Sequence, residues 1–140
     1  MNSDVERLRE TMWSYIKDRE FGKLFMRGGC HIYALVLHEM LRRPLFYTSQ
    51  GTNDFPHAFV MMHRSDKWCF DYEGKKPVAD VIAKYGHRGA SPQPVTDEVL
   101  KDVIKQKNFG EALEQRMFEI AHSEFIRQRQ LYRAQGELVY

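Results

Sequence analysis

The chain has 140 residues, of which 43% are hydrophobic and 13% aromatic, which excludes a disordered polymer and is enough for one domain, residues 1–140, with a core that needs no staples. Its 21 basic and 19 acidic residues leave a net charge of +2, too even for a phosphate-tracking surface, so nucleic acid is not an expected partner. The opening MNSDVERLRETMW lacks the apolar run of about 7–15 residues that a secretory signal needs, and no window reaches the ~18 apolar residues of a membrane span; a cytoplasmic protein without a membrane partner is expected.

Ser3 and Glu6 have the spacing of a capping box, and Val5, Leu8, Met12, Trp13 and Ile16 recur at helical intervals, so a first helix is predicted over about Asp4 to Lys17. REFGKLFMRGG reads as a connector ended by Gly28 and Gly29. From Cys30 to about Leu41, apolar residues cover most of a helical circumference, which predicts a buried central helix. Pro44 ends it. LFYTS reads as a short strand and QGTNDFP as turn chemistry. HAFVMMH and WCFDYE, separated by RSDK, read as two strands of a hairpin, closed by Gly74 and Pro77.

PVADVIAKYG predicts a short helix and HRGASPQP a loop. Thr96 or Asp97 can cap a helix carrying Val99, Leu100, Val103 and Ile104. Asn108 and Gly110 interrupt, and a long helix follows from Glu111 to about Ala134, with Leu113, Met117, Ile120, Ala121 and Phe125 as its apolar stripe. Its polar end, EFIRQRQLYR, reads as projecting from the body. This order of elements argues an α+β fold.

Two cysteines in a reducing compartment read as free thiols. Cys30 stands apart because it falls in the first turn of a helix, where unpaired backbone N–H groups and the positive end of the dipole favour a thiolate. The two glycines before it allow a sharp turn and leave room for a substrate to approach. A cysteine nucleophile also needs a base and a group that orients the base. His57, Phe59, Met61 and His63 share one face of their strand, as Cys69 and Asp71 do on the next. If odd positions pair with odd ones, His57 and Asp71 meet on the same face, opposite or diagonal to each other; a slip by one residue would separate them.

A cysteine starting a buried helix (GGCH), then FPHAFV on one strand and WCFDYEG on the next, resembles the compact forms of the papain-like superfamily, which include transglutaminase-like and amidohydrolase members. The resemblance covers roughly residues 28–77, with residues 97–134 as a helical extension. It implies a papain-like core in which the cysteine helix packs on a small antiparallel sheet. It also implies a nucleophile (Cys30), a base (His57) and an orienter (Asp71) for amide hydrolysis or acyl transfer on a protein, a peptide or a small amide. Neither metal nor organic cofactor is required by that chemistry. Two features depart from papain itself. No glutamine precedes Cys30 to serve as an oxyanion donor, so the backbone N–H groups of Cys30 and His31 or a loop side chain would serve. The interval from Cys30 to His57 is also short, which favours a small or exposed substrate.

Other readings of the same residues exist. Cys30, His31, His38, Glu39, His57, His63 and Cys69 could be taken for metal ligands, but no pair has CxxC or HExxH spacing, and no metal is expected. Gly29, His31 and Cys69 are candidate pocket residues, against plainer readings of His31 as a helix-surface histidine and Cys69 as core. His38 reads as surface, and His63, His87 and His122 as solvated. Asp71 can be a turn cap, and His57 a loop residue satisfied by backbone. In a second class of function, Phe118, Phe125, Ile126, Leu131 and Tyr132 of the last helix would pack a partner chain, making the protein an interaction module on the same fold.

Overall fold

Every residue of HAFVM is buried, which a strand achieves only when both faces of its sheet are covered. The computed structural model describes residues 3–48, 57–62, 67–85 and 92–134, and in it that strand, β2 (His57–Met61), is the middle of five. The sheet runs β4-β3-β2-β1-β5, with β1 Leu45–Thr48, β3 Trp68–Asp71, β4 Gly74–Pro77 and β5 Gln93–Pro94, and every pairing is antiparallel. The helices are α1 (Ser3–Lys17), α2 (Phe21–Met26), α3 (Cys30–Leu41), α4 (Val78–Tyr85), α5 (Asp97–Gln106) and α6 (Glu111–Ala134). The α+β expectation holds, long last helix included.

Alternation along the strands sorts the core into two parts. Even residues Ala58, Val60 and Phe70 join the main cluster with Ile32, Leu35, Val36 and the buried stripe of α6. Odd residues Phe59, Met61 and Cys69 meet Val78 and Val81 of α4 in a smaller one. The helix α3 is buried continuously from Cys30 to Leu37. Complete burial of each large aliphatic side chain contributes about 1.5–3 kcal/mol, so α3 is the fixed element to which the rest is referred. It ends at Arg42, whose left-handed conformation (φ 55°) brings its N–H to His38 O at 2.9 Å.

Several sequence expectations change. Ser3 lies within α1 rather than outside it as a cap, and Trp13 faces solvent at 42% exposure while Met12 takes the buried place. FGKLFM forms the short helix α2 with Leu24 and Phe25 buried, not a connector. GKKP is a strand, made so by pairing with β3 rather than by its own composition. QGTNDFP lies outside the described residues, as do His63 and His87.

The polar end of α6 does not project freely. Glu124 and Phe125 are buried there. Tyr72 donates to Glu124 Oε1 at 2.5 Å, Gln128 Nε2 donates to the Tyr72 carbonyl at 2.8 Å, and Arg127 donates to both Glu124 oxygens. At Gly74 (φ 96°) a Cβ would collide with the Tyr132 hydroxyl. Residues 124, 128 and 132 stand one turn apart on one face, and that face grips the turn between β3 and β4.

Candidate active site

The helix start is shaped by close packing. Gly29 precedes Cys30, and a Cβ at Gly29 would lie 2.6 Å from the Leu24 carbonyl oxygen and 2.8 Å from Met117 Cε. Its φ of −99° is ordinary, so space, not conformation, demands glycine: α2 and α6 close on the first turn of α3. The first intrahelical bond runs from Tyr33 N–H to Gly29 O at 3.1 Å. The N–H groups of Cys30, His31 and Ile32 precede it and have no helical acceptor.

In the β2/β3 register, Val60 pairs with Phe70 and Met61 with Cys69. Odd residues therefore meet odd residues, and His57 lies diagonal to Asp71 on the same face, as the parity condition required. The contact is made: His57 Nε2–H donates to Asp71 Oδ2 at 2.8 Å, with both side chains enclosed. The other oxygen of Asp71 accepts the Glu73 N–H at 2.8 Å. Asp71 is thus both a turn cap and a partner of His57, two roles that the sequence presents as rivals.

Cys30 and His57 favour each other's charged forms. His57 Nδ1 is buried and has no hydrogen-bond partner of ordinary geometry among the described residues. The pairing is therefore loose, as thiol–imidazole pairs often are before substrate binds. Burial opposes a charge on His57, but the Asp71 bond and the Cys30 sulfur outweigh it and raise the imidazole to about 9. Burial likewise opposes the thiolate of Cys30, yet His31 and then His57 hold that thiol well below its ordinary range. Asp71, also buried, is held below the usual carboxylate range, first by His57 and then by Lys76.

His31 is not a surface residue. It is 2% exposed, and its Nδ1 lies 3.5 Å from Cys30 Sγ. Cys69 is fully buried and its thiol donates to the Lys76 carbonyl at 3.6 Å; burial and then the Asp71 charge push it up to about 12. His38 is half-buried, with Nδ1–H donating to Arg43 O at 2.6 Å, and His122 donates similarly to Phe118 O at 2.9 Å. Neither belongs to the site. Among the described residues, no group of three or more His, Cys, Asp or Glu is disposed to hold a metal ion.

Three neighbours of the site escape sequence reasoning. The Tyr85 ring, at the end of α4, stacks on His57 with centroids 4.1 Å apart and planes 15° from parallel. Lys76 Nζ lies 3.2 Å from Asp71 Oδ2 and also bonds Glu73 Oε1. Thr48 stands opposite His57 in the β1/β2 register, its hydroxyl buried and without a partner among the described residues. Buried polar groups left in this condition are uncommon, and functional sites are one place where they occur. The only signal that could have found Lys76 is a run of lysines just after a strand ending in Asp.

Comparison of the chain with protein-family models, with curated proteins and with solved structures finds no match in any of the three.

Proposed function

We propose that the protein is a cysteine-dependent enzyme acting on an amide bond, a hydrolase or an acyltransferase, built on a papain-like core. Cys30 is the nucleophile, His57 the acid–base and Asp71 the group that orients it. The observation that carries this reading is one buried imidazole that bonds Asp71 through Nε2 at 2.8 Å and keeps a buried Nδ1 without a hydrogen-bond partner among the described residues, together with a buried thiol at the start of a helix. With Nε2 committed to the carboxylate, Nδ1 is the nitrogen left for proton transfer.

The steps follow from that arrangement. The Cys30 thiolate adds to the carbonyl carbon, and the oxygen takes the negative charge. The N–H groups of the first turn of α3 offer donors for it. The C–N bond breaks as His57 Nδ1 delivers its proton to the leaving amine, giving a thioester on Cys30. Neutral His57 then takes a proton from water or an acceptor amine, which attacks the thioester. The acyl group departs, and the thiolate and imidazolium are restored. Peptide, isopeptide and glutamine side-chain amides are the substrate classes this chemistry serves.

The test is acylation by p-nitrophenyl acetate followed by intact-protein and peptide mass spectrometry. Transient acetylation confined to Cys30, absent in Cys30→Ala and persisting in His57→Ala because deacylation stalls, is expected. Acetylation scattered over lysines and equal in all three proteins would sink the reading. A second reading, a non-catalytic interaction module, draws on Ile126 and Leu131 of α6, which are 50% and 48% exposed; it gains ground only from that outcome.

A further inference from the structure

Two buried imidazoles, not one, favour the thiolate of Cys30, and they are held differently. His57 is anchored by Asp71 and makes no bond of ordinary geometry through Nδ1. His31, the next residue on α3, brings Nδ1 to 3.5 Å from Sγ, within the usual reach for a sulfur acceptor. Cys30 and His31 lie in the first turn of one helix that is buried from residue 30 to residue 37, so their separation is fixed by the helix rather than by how strands and loops settle. Within that buried run, apolar side chains dominate, and a polar imidazole there is costly unless it makes a specific contact.

We propose that His31 is a second catalytic histidine, which donates Nδ1–H to the Cys30 sulfur and holds the thiolate between turnovers, leaving His57 as the proton carrier. This rests on Cys30 being the nucleophile. The division separates two tasks that a two-residue pair gives to one histidine: holding the resting thiolate before it adds to the carbonyl, and delivering a proton to the leaving amine once the sulfur is bonded to carbon.

Among the described residues, the groups that act on the sulfur are His31 from α3 and His57 from β2. Asp71 of β3 bonds His57, and Lys76 of β4 bonds Asp71, so their influence passes through His57. The pH dependence of the thiolate is therefore divided between two residues and can be taken apart by substitution. The ordering of influences is consistent with the geometry, since burial is outweighed first by His31 and only then by His57.

The test is the rate of iodoacetamide alkylation at Cys30 from pH 5 to 10, followed site by site by mass spectrometry in the wild type, His31→Leu, His31→Gln and His57→Ala. An ordinary thiol is well under one per cent thiolate at pH 6, although a more basic thiolate is also the better nucleophile, so the expected loss at pH 6 in His31→Leu is at least about tenfold. His31→Gln, which keeps a donor but not a charge, falls between. His57→Ala keeps most of the labelling at pH 6 while losing deacylation of the acetyl-enzyme. Protection of buried Cys69 reports that each variant is folded, and the glutamine variant carries the test if the leucine variant is not. A low wild-type midpoint that moves in His57→Ala and stays put in both His31 variants overturns the proposal and leaves the triad intact. A wild-type midpoint at that of a free thiol removes the activated nucleophile itself, and both readings with it.

Discussion

The two cysteines are both buried and chemically opposite. Cys30 sits at a helix start with His31 Nδ1 3.5 Å from its sulfur, and His31 and then His57 hold its thiol well below the ordinary range despite burial. Cys69 lies in the apolar layer under α4, its thiol bonded to the Lys76 carbonyl, and burial together with the Asp71 charge pushes it up to about 12. Burial is common to both, so the neighbours decide. One carboxylate serves both cases with opposite sign: Asp71 supports the cation on His57 that favours the Cys30 thiolate, and it repels an anion at Cys69.

The widest expected gap is between the cysteines themselves. In the native protein at pH 7, iodoacetamide should modify Cys30 at least about 10³-fold faster than Cys69, whose thiolate is rare at that pH. In denaturant the two rates should converge to within a few-fold; equal rates in the folded protein would break the comparison. Asp71→Asn sharpens it, because the side chain keeps its shape and loses its charge. Acyl-enzyme turnover should fall by about 10²- to 10³-fold, while Cys69 labelling rises; movement of both in the same direction would mean that Asp71 acts by holding the fold alone.

Lys76→Met should have the smallest effect. The thiolate–imidazolium form exists above the depressed thiol titration and is lost as His57 deprotonates near pH 9. Removing the ammonium beside Asp71 strengthens the carboxylate's hold on the imidazolium, so this upper limit should move to higher pH. The rate of acylation near neutrality should change by less than about threefold, as a partly exposed ion pair allows. A limit that moves down would contradict the sign of the Lys76–Asp71–His57 relay.

The central helix, the hairpin and the faces of its two strands were legible because each rests on a short period; the register that unites His57 with Asp71 was not. An apolar run from Cys30 to Leu37 implies burial, and a two-residue alternation fixes faces once odd pairs with odd. Where no period operates, the sequence was silent. The six-residue α2 is too short to display one, and GKKP becomes β4 only because β3 offers it a ladder. In a helix apolar nearly all round, nothing distinguishes the face His31 occupies, so its approach to the sulfur emerges only when α3 is docked. Tyr85, Lys76 and Thr48 come from three separate elements, α4, β4 and β1. Their meeting at His57 and Asp71 is a tertiary fact.

The grip of α6 on the turn after Asp71 has a consequence for how the molecule is made. Tyr72 receives its partners from residues 52 and 56 positions further along the chain, and Tyr132 closes over Gly74 from further still. Synthesis proceeds from the N-terminus, so the cysteine helix and the hairpin emerge from the ribosome well before the segment that clamps the turn. These hydrogen bonds can close only after α6 has followed. The turn that follows Asp71 thus receives its α6 partners late, and the nascent chain holds its thiol for some time before that clamp is in place.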